Sequence, residues 1–314
     1  MKKLAIVAAL AATLLTLTAC AGAPASTSGS TESSSASPTS GTEGNASFDS
    51  SKIQIVASTN IWGSVASSVG GDLVQVTSII DTASQDPHSY EASARDQLAF
   101  KQADLVITNG GGYDEFAAKL AESATEAEKI AIADVATNID AKKNEHLWYS
   151  VSAVGQATYA IADQLGKVDS ANTETYLANA DKFIEGLTGI AAGYGEIQKK
   201  AKGKKFFATE PVANWMLSDL GFVDATPAEF SKAIENETDV PPLALKNALD
   251  LIGSGKINVV VLNAQTENTQ TKQIADKAKS AGVAVVTLSE LMPKGMAYID
   301  WMGENLIALD KALG

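Results

Sequence analysis

The chain has 314 residues, a formal net charge of −13 at pH 7, two histidines and one cysteine. This acidity argues against binding to nucleic acid, whose phosphates require basic surfaces, and the single arginine, Arg95, argues against bidentate recognition of phosphate. A lone cysteine cannot form an internal disulfide, and the length beyond the N-terminal segment suffices for one large domain or two lobes.

The N-terminal segment predicts export and lipidation. Residues 1–3 form a short basic start, and residues 4–17 are an almost unbroken apolar stretch that is too short to span a bilayer. Small residues then precede Cys20, in a pattern that resembles the lipobox of bacterial lipoproteins. We therefore predict a signal peptide over residues 1–19 and acylation of Cys20; a chance cysteine after an ordinary signal is the alternative.

Residues 20–51 predict a flexible tether. They are mostly Ser, Thr, Gly, Ala and Pro, with too few apolar side chains to enter a core. About thirty such residues have a typical reach of roughly 30 Å. No later apolar stretch has spanning length, so we expect a folded domain held by its lipid anchor at the extracytoplasmic face of the cell membrane.

Strand-like and helix-like stretches alternate after the tether. The predicted strands are 53–58, 73–80, 104–108 and 129–133, and the predicted helices are 60–69, 113–123 and 151–165. This order indicates a largely parallel sheet that is covered by helices on both faces. It defines an N-terminal α/β lobe over residues 52–167.

A long helical stretch follows at about 171–201, within a connecting segment over residues 168–203. It contains four glycines, which weaken a helix locally, so we expect a bend or an irregular turn there.

A second α/β lobe is predicted over residues 204–314. Its predicted strands are 205–209, 222–225, 258–262 and 283–288, and its predicted helices are 212–220, 241–252, 269–280 and 298–312. The fold class is therefore α/β, with two doubly wound lobes joined by one long helix. Ligands bind open sheets at the carboxyl ends of their strands, so we expect the site in the cleft between the lobes.

Both histidines lie in loops that follow predicted strands. His88 lies in the phrase DPHSYE (86–91), and His146 lies in NEHLWY (144–149). Glu210 and Glu290 each lie at the end of a predicted strand of the second lobe. Neutral imidazole is the commonest protein ligand for transition metals, and two carboxylates would neutralise a divalent cation. Convergence of the four side chains would therefore create a metal site.

Each of these residues also has an ordinary structural interpretation. Either histidine could be a partly buried side chain without a ligand, and Glu210 or Glu290 could cap the helix that follows it. Asp86 and Glu91 are interpreted as supporting or surface groups, and the aromatic residues nearby as core.

Over about residues 53–313, the chain resembles the substrate-binding lipoproteins of transition-metal ABC importers. This is bacterial solute-binding protein family 9, which includes manganese and zinc binders and adhesin-type lipoproteins. The phrase DPHSYE matches the first ligand motif of that family. NEHLWY resembles the second motif, where the family usually has proline in place of Glu145 and often has aspartate at the position of Ser150.

The other two ligand positions also have counterparts in this chain. The phrase TEP (209–211) matches the glutamate form of the third position, and SELMP (289–293) stands at the fourth, where the family usually has aspartate. The resemblance thus implies His88, His146, Glu210 and Glu290 as metal ligands, with Asp300 as the alternative to Glu290.

The resemblance implies a monomer that captures a divalent metal ion and delivers it to the permease of an ABC importer. Carboxylate ligands favour manganese or iron, with zinc close behind because most nitrogen and oxygen sites bind zinc more tightly. A metalloenzyme is disfavoured because no further histidine and no His-Glu-x-x-His phrase is present. A surface adhesin is the remaining alternative.

Overall fold

The computed structural model describes residues 49–83 and 85–314. The predicted signal peptide, Cys20 and nearly all of the predicted tether lie outside these described residues. Within them, every helix is too short or too polar to cross a membrane.

The described residues form eight strands and eleven α-helices. The strands are β1 (Ile53–Thr59), β2 (Val74–Ile80), β3 (Leu105–Thr108), β4 (Glu128–Ala131), β5 (Lys205–Ala208), β6 (Val223–Asp224), β7 (Val259–Asn263) and β8 (Ala284–Leu288). The helices are α1 (Asn60–Gly70), α2 (Ala94–Lys101), α3 (Glu115–Ala121), α4 (Ile132–Val135), α5 (Val151–Val168), α6 (Thr173–Ala201), α7 (Asn214–Asp219), α8 (Ala228–Glu235), α9 (Pro242–Gly253), α10 (Thr269–Ser280) and α11 (Tyr298–Leu313).

The strands form two separate parallel sheets with equivalent strand orders. The first sheet has the order β2-β1-β3-β4, and the second has the order β6-β5-β7-β8. In each sheet the chain passes to one neighbour of its first strand and then crosses to the other side. Such a reversal opens a crevice at the carboxyl ends of the strands. The predicted α/β class with two such sheets is confirmed.

The inner strands β5 and β7 of the second sheet are buried on both faces, because successive side chains of a strand point to opposite sides. Phe206 and Val259 belong to the large apolar core that includes both sheets, α5, α6 and α11. Their chain neighbours Phe207 and Val260 belong to a second apolar cluster with side chains of α8, α9 and α10. This double burial explains why these strands are nearly continuous apolar runs.

The connecting helix α6 is continuous from Thr173 to Ala201, so the predicted irregular turn at its glycines is wrong. A Cβ atom on Gly186 would lie 3.2 Å from the side chain of Ile299 in α11, and one on Gly193 would lie 3.6 Å from Leu306. These glycines therefore let α11 approach α6 closely. Packing of the apolar face stabilises the helix against their low helix propensity.

Three short helices, α2, α4 and α8, were not predicted. The start of α2 carries a capping box, in which Ser93 Oγ accepts from the Asp96 N–H and the Asp96 carboxylate accepts from the Ser93 N–H. The α8 helix begins after Pro227 and buries Phe230 and Ile234 in the second apolar cluster. The end of α8 reaches the candidate site, so this unpredicted helix brings side chains to it.

Two glycines of α6 should respond in opposite ways to substitution. Gly189 is exposed, and a Cβ atom there would meet nothing within 4 Å. Gly189→Ala should raise the free energy of unfolding by about 0.5–1 kcal/mol, because alanine loses less backbone entropy in a helix. Gly186→Val should lower it by about 1–3 kcal/mol, because the branched side chain overpacks against Ile299. Urea unfolding followed by circular dichroism measures both, and stabilisation by both variants would contradict the close packing of α11.

Candidate metal centre

His88 lies in the loop between β2 and α2, beyond the carboxyl end of the first sheet. Asp86 stabilises this loop, because its Oδ1 accepts from the His88 N–H at 3.0 Å and its Oδ2 accepts from the Ser89 hydroxyl at 2.7 Å. The His88 ring contacts Tyr113 edge to face, with ring centroids 5.1 Å apart. Its side chain is 33% exposed, so His88 is the histidine on the solvent side of the site.

His146 is almost completely buried and lies in a loop between α4 and α5. Its Nδ1 lies 2.8 Å from Asn144 Oδ1, which can only accept, so the ring proton is assigned to Nδ1. Its Nε2 is buried without a hydrogen-bond partner. Burial, and then the nearby His88, lower the pKa of His146 to about 3. The ring is therefore neutral near pH 7, the state in which imidazole binds a metal ion.

Two carboxylates come from the second sheet. Glu210 and Glu290 each stand two residues beyond the end of a strand, β5 and β8. Between these strands lies β7, and its last residue, Asn263, donates through Nδ2 to both carboxylates, at 2.7 Å for Glu290 Oε1. One amide on the central strand thus positions the carboxylates of both neighbouring strands.

Burial away from water disfavours the charged forms of both glutamates. Burial, and then the charge of Glu210, raise the pKa of Glu290 to about 8, and burial also raises the pKa of Glu210. The Tyr113 hydroxyl donates to Glu290 Oε2 at 3.2 Å. Near pH 7 the pair therefore holds a proton unless a cation compensates the two charges.

A single small cavity collects these side chains. Its volume is about 20 Å³, which is room for roughly one water-sized sphere. The lining residues are Asp86, His88, His146, Glu210, Glu235, Glu237, Thr266 and Glu290. Across it, His146 Nε2 and Glu290 Oε1 are 4.0 Å apart, and Glu210 Oε1 is buried without a hydrogen-bond partner. The cavity suits one ion and is too small for an organic ligand.

Glu145 adds a carboxylate that the sequence analysis did not assign to the site. Its Oε1 lies 3.8 Å from His88 Nε2. The ligand atoms of His88, Glu145 and His146 all lie within 4.8 Å of one another. The available signal was its position beside a histidine, where the family usually has proline.

Two further carboxylates at the cavity, Glu235 and Glu237, were missed because α8 was missed. Burial, and then the charges of Glu145 and Glu210, raise the pKa of Glu235 to about 7. Glu237 has φ 52°, the one non-glycine residue of the described chain with a left-handed backbone. A hydrogen bond with Asp86 raises the pKa of Glu237, so carboxyl groups from the two lobes meet at the cavity.

Hydrogen bonds join the loop of the second histidine to the loops of the two glutamates. Asn144 Nδ2 donates to the carbonyl oxygen of Pro211 at 2.7 Å, one residue beyond the first glutamate. The Tyr149 hydroxyl donates to the carbonyl oxygen of Ser289 at 2.8 Å, one residue before the second. These contacts fix the separation of the donors that come from different lobes.

The structure brings His88, His146, Glu210 and Glu290 to the same cavity. Asp300, the alternative to Glu290, is exposed on α11 and lines a different groove.

The chain is similar to known proteins that bind metal ions. The profile of the family described as "Zinc-uptake complex component A periplasmic" matches residues 55–312. The metal ABC transporter substrate-binding lipoprotein ScbA of Streptococcus cristatus is 24% identical over 282 residues, which cover 84% of this chain and 90% of that protein. The iron-binding protein YfeA of Yersinia pestis is 24% identical over 284 residues, which cover 87% of this chain and 90% of that protein.

A solved structure shares the fold. A Mn-bound mutant form of a periplasmic metal binding protein from Candidatus Liberibacter asiaticus superposes with a TM-score of 0.69 at 21% identity, covering 84% of this chain and 100% of that one. Because the family profile matches well over half of the residues, the chain belongs to the family of periplasmic zinc-uptake component A proteins, the substrate-binding proteins of metal ABC importers.

Proposed function

We propose that this chain captures one divalent transition metal ion with His88, His146, Glu210 and Glu290, and delivers it to the permease of an ABC importer. The observation that carries this proposal is the buried Nε2 of His146, which has no hydrogen-bond partner and lies 4.0 Å from Glu290 Oε1. An unpaired buried acceptor costs free energy, and a metal ion would satisfy it. The family transports metal and is not a family of enzymes, so we assign no chemical turnover to the site.

The charges of the four side chains support a divalent cargo. Two neutral imidazoles and two carboxylates carry a total charge of −2, which one divalent cation neutralises within a buried cavity. The pKa values of both glutamates are raised, which indicates that no other group among the described residues of the cavity fully compensates their negative charges. Near pH 7, binding of the cation would therefore release the proton that the pair holds.

The donor set favours manganese or iron as the cargo, with zinc as a close competitor. Carboxylate oxygens suit Mn²⁺ and Fe²⁺, and the described residues offer no sulfur ligand at the cavity. Zinc binds most sites of this kind more tightly in solution, so metal supply contributes to selection in the cell.

The site operates outside the cytoplasmic membrane in this proposal. Acylation of Cys20 would anchor the chain, and residues 20–51 would allow the folded part to reach a permease roughly 30 Å from the anchor. We propose that the chain acts as a monomer, because the cavity draws all its ligands from one chain. Adhesion stays a prediction from the resemblance.

Loss of either histidine should abolish tight metal binding. His146→Ala and His88→Ala each remove one nitrogen donor, and we expect a fall in affinity of about 100-fold or more, beyond the loss typical of supporting residues. Elemental analysis after dialysis against a weak chelator measures the retained metal, and circular dichroism verifies the fold. Wild-type metal content in either folded variant would contradict the ligand assignment.

Glu290→Gln should stabilise the metal-free protein at alkaline pH. The folded-state pKa of Glu290 is raised from 4.5 to about 8, so its contribution to stability is full below about pH 4.5 and is lost as pH rises through 8. Glutamine is neutral at every pH and avoids this loss. We expect nearly equal melting temperatures at pH 5, and a variant more stable by roughly 5 °C at pH 9, by thermal unfolding with chelator present.

The control is Asp300→Asn, which makes the same change at an exposed carboxylate outside the cavity. It should leave unchanged both the pH dependence of the melting temperature and the rise in melting temperature that metal causes. Glu290→Gln should reduce that rise. Parallel pH curves for wild type and Glu290→Gln would show that Glu290 is not a buried, repelled carboxylate.

A further inference from the structure

Glu145 stands beside the proposed ligands with no role in the four-residue set. Its carboxylate is the third member of the cluster with His88 and His146, and its side chain is only 15% exposed. We propose that Glu145 is a fifth metal ligand, which biases the site towards ions of coordination number five or six, such as Mn²⁺, over four-coordinate Zn²⁺. This inference rests on the proposed function and specifies its selectivity.

The backbone around Glu145 is fixed by the first lobe. Its carbonyl oxygen accepts from Asn109 Nδ2 at 2.9 Å and from the Leu147 N–H at 2.7 Å. Asn109 is itself held, because Trp62 Nε1 donates to its Oδ1 at 3.0 Å. The carboxylate of Glu145 therefore extends from an anchored position next to the end of β3.

The local backbone explains how two consecutive side chains can face the same ion. In an extended chain, neighbouring side chains point to opposite sides. His146 instead has φ −74° and ψ 57°, and the Leu147 N–H bonds to the carbonyl of Glu145, which together form an inverse γ-turn. The turn interrupts the alternation, and the ligand atoms of Glu145 and His146 lie within 4.8 Å of each other.

The distances fit coordination better than a hydrogen bond. Glu145 Oε1 is 3.8 Å from His88 Nε2, which is too long for a hydrogen bond. Two donors that each lie about 2.1 Å from one ion are separated by roughly 3 to 4.2 Å, depending on the angle between them. The Glu145–His88 distance falls in this range, as does the 4.0 Å between His146 Nε2 and Glu290 Oε1.

A fifth donor affects different metals unequally. Zn²⁺ is satisfied by four ligands in tetrahedral geometry, so an additional carboxylate contributes little to its binding. Mn²⁺ accepts six donors and prefers carboxylate oxygen, so each added carboxylate replaces a water ligand. The third negative charge is tolerated because Glu145 lies beside His88, on the solvent side of the cavity.

The test compares Mn²⁺ and Zn²⁺ affinities of the purified chain by competition with chelators. Glu145→Gln should weaken Mn²⁺ binding by about 10-fold or more and Zn²⁺ binding by less than about 3-fold. Water-proton relaxation of the Mn²⁺ complex should increase, because water would replace the lost ligand. The matched control is Glu122→Gln, which replaces an exposed glutamate at the end of α3. It should change the affinity for neither Mn²⁺ nor Zn²⁺.

The outcomes separate this inference from the proposed function. If Glu145→Gln weakens Mn²⁺ and Zn²⁺ binding equally, or changes neither affinity, the role of Glu145 as a fifth ligand is overturned. In both cases, loss of metal in His146→Ala would leave the proposed function standing. A wild-type chain that binds neither metal would overturn both.

Discussion

The donation of one amide, that of Asn263, to two buried carboxylates is the contact on which the site depends. Glu210 and Glu290 would otherwise repel each other where little water is present to screen their charges. The sheet order places Asn263 between them, because β7 lies between β5 and β8. The protein thus holds two carboxyl groups close together, and near pH 7 the pair retains a proton unless a cation compensates both charges.

In the proposed function, the division of the donors between the two lobes would link metal binding to metal release. Histidines from the first lobe and glutamates from the second face each other across a cavity for a single ion. If these side chains bind one ion, a movement that separates the lobes by a few ångströms would remove donors of one lobe from it together. The hydrogen bonds from Asn144 to Pro211 and from Tyr149 to Ser289 oppose this movement. In the proposed function, a permease that releases the ion would have to offset these hydrogen bonds as well as the metal ligation.

Sequence patterns predicted what depends on strand order and chemically distinctive residues. His88 and His146 stood out because the chain has only two histidines, and Glu210 and Glu290 because they follow apolar strands. Sequence patterns could not predict contacts between segments that are distant in the chain. Whether a short helix such as α8 forms is decided by the apolar cluster it enters, and the continuity of α6 by its packing against α11.

Several of the acidic residues of the chain are concentrated at the cavity. Solubility alone accounts for exposed carboxylates. It does not account for Glu210 and Glu290, which are each 5% exposed, or for Glu145 beside a histidine. Such a concentration of negative charge attracts cations but distinguishes poorly among divalent ions. In the proposed function, discrimination among divalent ions would come from the number and geometry of the donors, because these ions share the same charge. On this proposal, the placement of each carboxylate would determine metal selectivity more than the total charge of the chain does.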